Sequence, residues 1–587
     1  MALVQLIQAR AATLTIAFKT SLLDFSMNIR KLVRCVSLVL VSAASAAVII
    51  GCSTSSNTGS AASAATLPPP KLVVFLAVDG LPQRQLMGLR DQLAPDGFAR
   101  FLDRGTWFAN AHYGHAFTVT AAGHAVMLTG AHPSRSGIIG NDWRNAETGA
   151  PVYNTEDVGA TYIGHATGAF DGTSPKNLKV QTVGDVLRAA SPSSKVIGIS
   201  GKDRGAILPA GKSGTAYMYM AASGNFASTT HYMARHPAWI DAYQNGKPAD
   251  RYFRAEWKPL LPEAAYARSL PDNQPWFGPG GGALPMKMAA ATDEAPGPAF
   301  YNRLMRSPFG DALTLDFARA AIAGEQLGQR SATDILAISL SSHDYINHAY
   351  SAESRLSHDH LLQLDKLLEQ FFADLDKTLG KGSYVAMLTA DHGFMPAPEI
   401  STAQGLPSGR LSSSQWLGRI NAGLASKFGE GKWAVGFSGS SLLLDKKLIA
   451  AKNENTAAVA EEARRLIMAE PAIAAAYTRT ELLANAPNDG LLFKALRQSW
   501  HPDVSGDVQY ALKPNWMFTS ATSIATHGSP YDYDSHVPLL VYGPKWYRPG
   551  KIETRVDITN IAPTLAQLLG VARPAAAEAA ALPLQAP

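Results

Sequence analysis

Asp344 and His348 in SSHDYINHAY stand four residues apart, which puts a carboxylate and an imidazole on one face of a helical turn. Asp391 and His392 are adjacent and precede Gly393, read as a tight turn that splays both side chains toward one point. Asp79 ends the apolar run LVVFLAV, and Lys202 and Arg204 follow KVIGIS. Carboxylates and imidazoles are the donors that zinc takes in tetrahedral sites with one position left for substrate. One such pair is weak evidence alone. Four such clusters in one chain point to a two-metal hydrolytic centre. In HAFTVTAAGHAVMLTGAHPSRSGIIGNDW, small residues around Thr118 and Thr120 allow a sharp entry into a helix. The free N–H groups at a helix start attract an anion, and a hydroxyl held there by a divalent metal becomes a nucleophile. Either threonine also reads as an ordinary N-cap.

The elements that must position these residues are legible beside them. LVVFLAV, KVIGIS, DILAISLS and YVAMLTA are unbroken apolar runs without alternation, the signature of parallel strands buried on both faces. Open parallel sheets bind ligands at the carboxyl ends of their strands, where all four polar clusters lie. The expected fold is α/β, an α/β/α sandwich around a mostly parallel sheet with cap insertions, spanning residues 71–571. Residues of about 206–310, rich in Gly, Pro, Trp and Tyr, read as a lid, and about 400–520 as an α+β insertion. LSHDHLLQLDKLLEQFFADLDKTLGKG reads as an amphipathic helix capped by Ser357 and stopped by Gly380. His343, His358 and His360 are expected on exposed helix or loop, and His112 and His115 carry no assignment. The alanine-rich residues 572–587 are expected to be disordered.

With 587 residues, 46% of them hydrophobic, the chain can bury an extensive core. Its net charge of +5 comes from dispersed lysines and arginines, which argues against a nucleic-acid partner. Its two cysteines, Cys35 and Cys52, precede the body, so the body has neither a disulfide nor a cysteine zinc site. From Met27 the chain reads as a basic n-region, an apolar h-region and Gly51-Cys52, the pattern of a bacterial lipoprotein leader. Residues 1–26 read as lying ahead of the true start, and 53–70 as a flexible tether. The expectation is an exported protein, periplasmic or at the cell surface, anchored to the outer membrane by lipid on Cys52.

The ordered strings DG (79–80), TAAGH (120–124), IIGNDW (138–143), SGKDR (200–204), DYxxH (344–348), TADHG (389–393), THG (526–528) and VPLLVYGP (537–544) resemble the alkaline phosphatase superfamily. The resemblance is to its phosphate-irrepressible, threonine-nucleophile bacterial alkaline phosphatases, relatives of the nucleotide pyrophosphatase/phosphodiesterases. It implies two zinc ions, one held by Asp344, His348 and His527 and the other by Asp79, Asp391 and His392, with Thr120 as coordinated nucleophile and phosphothreonine intermediate. Thr118 remains the alternative to Thr120, and His536 the alternative to His527. Asn141, Lys202 and Arg204 are implied to bind the non-bridging oxygens of a monoester dianion, whose extra charge a diester lacks. The implied activity is hydrolysis of diverse organic phosphate monoesters by a monomer; a phosphodiesterase or nucleotide pyrophosphatase on the same metals is the alternative, and a non-catalytic lipid-anchored binding protein the remote one.

Overall fold

The computed structural model describes residues 67–278, 281–484 and 490–587; the expected leader and most of the tether lie outside the described residues. Nine strands make the central sheet: β1 (Leu72–Val78), β2 (Thr106–Phe108), β3 (Val196–Ser200), β4 (Thr215–Met220), β5 (Asn225–Ala227), β6 (Asp334–Leu340), β7 (Tyr384–Thr389), β8 (Leu539–Tyr542) and β9 (Gly550–Ile552). Their order is β9-β2-β8-β7-β1-β6-β3-β4-β5. The five central strands β7-β1-β6-β3-β4 are parallel, while β8 and β5 run antiparallel to their neighbours. Every residue of β1, β6 and β7 is buried, as their unbroken apolar runs require of strands covered on both faces.

Two groups of helices cover the sheet. Helices Pro308–Glu325 and Arg355–Leu379 pack on each other, as do Thr120–Thr129 and Asp203–Ala210. We call the four that matter below α1 (Thr120–Thr129), α2 (Asp203–Ala210), α3 (Ser342–Tyr350) and α4 (Arg355–Leu379). Residues 413–512 carry a separate antiparallel sheet of four strands, with helices Ser413–Phe428 and Thr456–Met468 and their own apolar cluster around Trp416 and Trp433. This is the α+β insertion. Among the described residues, no helix is long and apolar enough to cross a membrane.

Several sequence expectations need correction. The span read as a lid from residue 206 begins inside α2 and then supplies β4 and β5, so its first fifth or so, up to Ala227, belongs to the central fold. The strand TAYMYM lacks the aliphatic run of the others, which is why its pattern reads as cap and not as sheet. Helix α4 starts three residues earlier than expected: Ser354 Oγ accepts the Ser357 amide at 3.1 Å, while Ser357 Oγ donates to Asn347. His343, His358 and His360 are buried, not exposed. The cap segment covers the first turns of α4, giving His358 a bond to Ser269 Oγ and its neighbour Asp359 one from Trp257 Nε1. His360 in turn pairs with His343 and Asp311. The alanine-rich tail is packed rather than disordered, because Ala577 and Leu582 are buried and Glu578 accepts the His132 amide.

Candidate active site

Register aligns the ends of four strands. Ala77 on β1 pairs with Ser339 on β6 and Thr389 on β7, and Ser339 pairs with Ser200 on β3. Within two to five residues of that line the chain reaches Asp79, Asp391-His392, Lys202 and Asp344. A parallel sheet gathers them on one edge because all four strands end in the same direction.

Asp344 and His348 sit one turn apart on α3, with Asp344 Oδ1 3.4 Å from His348 Nε2 and 3.6 Å from His527 Nε2. His392 Nε2 lies 3.5 Å from Asp79 Oδ1 and 3.4 Å from Asp391 Oδ2. Among the described residues, two clusters have donor atoms close enough to share an ion: Asp344, His348 and His527, and Asp79, Asp344 and His392. The first is the implied triad. The second contains Asp344 where Asp391 was implied, with Asp391 at its margin beside His392.

The chemistry of these donors fits divalent cations. Asp79 Oδ1, Asp344 Oδ1 and Asp391 Oδ2 are buried with no hydrogen-bond partner, a costly arrangement unless a cation satisfies them. Each histidine donates Nδ1–H to a backbone carbonyl: His348 to Ala525, His392 to Gly393 and His527 to Thr118, at 2.8–2.9 Å. That bond fixes the tautomer and turns the Nε2 lone pair inward, as metal-ligating imidazoles require. Burial drives His392 and His527 below the usual histidine range, so both stay neutral and ligand-ready.

One ammonium bridges two carboxylates. Lys202 Nζ lies 2.7 Å from Asp79 Oδ2 and 2.5 Å from Asp344 Oδ2, all three side chains being buried. Burial opposes ionisation of Asp344, but Lys202 and then His348 hold it well below the usual carboxylate range. Asp391 likewise stays low despite burial, through His392 and His124. Asp79 is pushed well up by burial and by the Asp391 charge. Three acids against one base leave an excess negative charge that divalent ions would neutralise.

Thr120 is the first residue of α1, and its Oγ1 lies 3.4 Å from His392 Nε2. Thr118 is committed elsewhere: its hydroxyl donates to Ser529 O and its carbonyl orients His527. His536 is also elsewhere, stacked on His112 with Nε2 bonded to Ala109 O. Asn141 Oδ1 accepts the Ala121 amide at 2.9 Å, which occupies its oxygen and leaves its NH2 for an anion. Arg204 Nη1 donates to Tyr153 OH, and Tyr153 pairs in register with Asp142, so the Arg204 and Asn141 walls are joined. Arg204 Nε is buried and unpartnered.

His124 is a residue whose role sequence reasoning missed. Its Nδ1 donates to Thr120 O at 2.8 Å and lies 3.3 Å from Asp391 Oδ2, and Ser339 Oγ donates to its Nε2. The four-residue spacing from Thr120 was the available signal. Nothing in the sequence pointed to Tyr153. Gly393 also has a different reason from the turn expected of it: a Cβ there would lie 2.2 Å from Tyr533 O. At Gly123 a Cβ would lie 2.0 Å from Asp391 O, so glycine lets α1 press against the strand end that carries the ligands.

The profile of the type I phosphodiesterase / nucleotide pyrophosphatase family matches residues 73–533. The chain belongs to that family. It is 34% identical over 511 residues to the alkaline phosphatase PhoV of Synechococcus elongatus, covering 86% of this chain and 90% of PhoV. Identity to the alkaline phosphatase PafA of Elizabethkingia meningoseptica is 33%, over 86% of this chain and 93% of PafA. A crystal structure of PafA superposes with a TM-score of 0.81 at 31% identity, covering 88% of this chain and 99% of that one. A Myroides odoratus protein named a calcium-transporting ATPase is 34% identical over 86% of this chain and 92% of its own length. Within the family the chain thus groups with proteins of the PafA and PhoV type.

Proposed function

We propose that the protein is a zinc-dependent alkaline phosphatase that hydrolyses diverse organic phosphate monoesters through a phosphothreonine intermediate on Thr120. The observation that carries this reading is the wall beside Thr120. Asn141 is pinned to the start of α1, Lys202 lies on Asp79 and Asp344, and Arg204 is tied through Tyr153 to the strand that follows Asn141, an amide, an ammonium and a guanidinium that suit the three non-bridging oxygens of a dianionic monoester.

Asp344, His348 and His527 would hold one ion, and Asp79, Asp391 and His392 the other. When bound, the pair supplies Lewis acidity toward the attacking and departing oxygens. The chain's own residues do the rest. The Thr120 oxygen bonds to phosphorus as the ester P–O bond breaks and the alcohol departs with a proton; water then cleaves the threonine phosphate. Asn141 donates its amide to a phosphoryl oxygen while its own oxygen is pinned by the Ala121 N–H. Lys202 and Arg204 offset the dianion's charge, Tyr153 holding Arg204 in place. His124 fixes the first turn of α1 through the Thr120 carbonyl.

The family profile is named for diesterases, so the test is the zinc-loaded enzyme on p-nitrophenyl phosphate and on bis(p-nitrophenyl) phosphate. A monoester preference of several orders of magnitude in kcat/KM, abolished by chelator, is expected. A diester preference would mean that Asn141, Lys202 and Arg204 do not address phosphoryl oxygens.

The leader supports export and lipid anchoring at Cys52 of a monomeric enzyme, periplasmic or at the cell surface. Incorporation of labelled palmitate by the wild type and not by Cys52→Ala is the expected result.

A further inference from the structure

A cavity of about 370 Å³ opens on one side of the catalytic groups, a size typical of small-molecule sites. It touches His348 and His527 of the first triad, and Asn141, but no member of the Asp79–Asp391–His392 set. Much of its wall is aromatic or apolar, with hydroxyls such as Ser440 and Ser520 between. Phe117 and Val119 come from the loop entering α1; Tyr510, Trp516 and Phe518 come from the α+β insertion.

These walls are built rather than incidental. The amides of Ala116 and Phe117 both donate to Ser499 Oγ, at 2.7 and 2.9 Å, so the loop that leads to Thr120 is pinned to a helix of the insertion, Leu491–Ser499. Gly528, next to His527, has φ +113°, and a Cβ there would lie 3.2 Å from the Phe117 ring, so glycine keeps that ring at the mouth. Tyr510 and Phe518 pack edge to face, centroids 6.3 Å apart, over the insertion's own core. Phe117, Trp516 and Phe518 remain partly exposed toward the cavity.

Direction gives this wall its role. In-line displacement puts the departing oxygen opposite the attacking one. Thr120 Oγ1 lies beside His392, so the leaving side is that of His348 and His527, where the cavity opens. We infer that the cavity is the leaving-group subsite, and that it selects monoesters whose alcohol carries a planar aromatic ring, held between Phe117 on one side and Trp516 and Phe518 on the other. This rests on the phosphatase reading and extends it to a substrate class.

The test compares benzyl phosphate with methyl phosphate, which depart as similarly basic alkoxides, so a difference in kcat/KM reports the pocket and not the chemistry. Burying one ring in such a pocket is expected to favour benzyl phosphate by roughly 10- to 100-fold in the wild type. Phe117→Ala and Trp516→Leu are each expected to lower that ratio about tenfold. Trp516→Leu keeps an apolar side chain against the insertion, which guards against a variant that fails to fold. A wild-type ratio near one overturns the subsite, as does a preference that survives both substitutions. Turnover of neither ester by the zinc-loaded wild type would overturn the phosphatase reading instead.

Discussion

Replacing Lys202 with methionine keeps the aliphatic stem and deletes the one ammonium shared by Asp79 and Asp344. Removing one partner of a buried ion pair costs about 3–5 kcal/mol, because the other charge is left uncompensated. Asp79 already stands well above the usual carboxylate range, pushed there by burial, and can take up a proton to relieve part of the loss. That puts the expected cost near the lower end, about 3 kcal/mol in metal-free protein. At ~2.1 cal/mol/K per residue, a body of roughly 500 residues unfolds with an entropy of about 1 kcal/mol/K, so Tm should fall by about 3 °C. With divalent ions bound, the carboxylates have other partners and the same substitution should cost under about 1 °C. Zinc should therefore raise the Tm of Lys202→Met by about 2–3 °C more than it raises that of the wild type. Differential scanning calorimetry in excess chelator and in saturating zinc measures both shifts. An equal loss in the two conditions, or none in chelator, would refute the idea that lysine stands in for metal charge at this site.

Thr120→Ala is expected to lower kcat/KM for p-nitrophenyl phosphate by about 10³-fold or more, and Thr120→Ser to retain far more activity; acid-quench trapping of labelled phosphoenzyme should succeed with wild type and serine but not alanine. His527→Ala should reduce bound zinc per chain, read by elemental mass spectrometry, whereas His536→Ala should leave zinc content unchanged because His536 stacks on His112 away from the ligands. Burial opposes protonation of His132, but the carboxylates of Asp557 and Glu578 raise it from 6.5 to about 9. A raised histidine stabilises the fold fully below pH 6.5 and loses that contribution as pH climbs through about 9, a change of roughly 3 kcal/mol. Glu578→Gln should flatten this decline in a series of urea unfolding curves between pH 6 and 10; an unchanged slope would show that the tail does not clamp His132.

Much of the site was written in local patterns. Asp79, Asp344 and Asp391-His392 each end or closely follow a strand whose apolar run is unmistakable, and strand period and helix period are properties of neighbouring residues. Because parallel strands share a direction, knowing that the runs are parallel was enough to put their ends on one edge without knowing their order. His527 was harder: it lies on a loop with no periodic context, and only the Thr118 carbonyl on Nδ1 and the distance to Asp344 separate it from His536. The first of these is a contact across about 400 residues of chain, which no spacing encodes.

What tertiary structure alone decided are the surfaces between elements. His358 and His360 looked like the polar face of an amphipathic helix, and a polar face is solvent-exposed only if no other segment covers it. Here the cap segment does, with Trp257 and Ser269. The alanine-rich tail looked too poor in large apolar residues to fold. It is ordered by contacts elsewhere made available, Leu582 on the final helix through Thr564 and Glu578 on His132. The sequence by itself thus determined which polar clusters stand at the ends of the parallel strands, because strand period, helix start and ligand spacing are short-range. The sharing of Lys202 among carboxylates, the bond from Tyr153 to Arg204 and the aromatic cavity depended on packing between distant segments, where burial and desolvation are set by whatever neighbour the fold supplies.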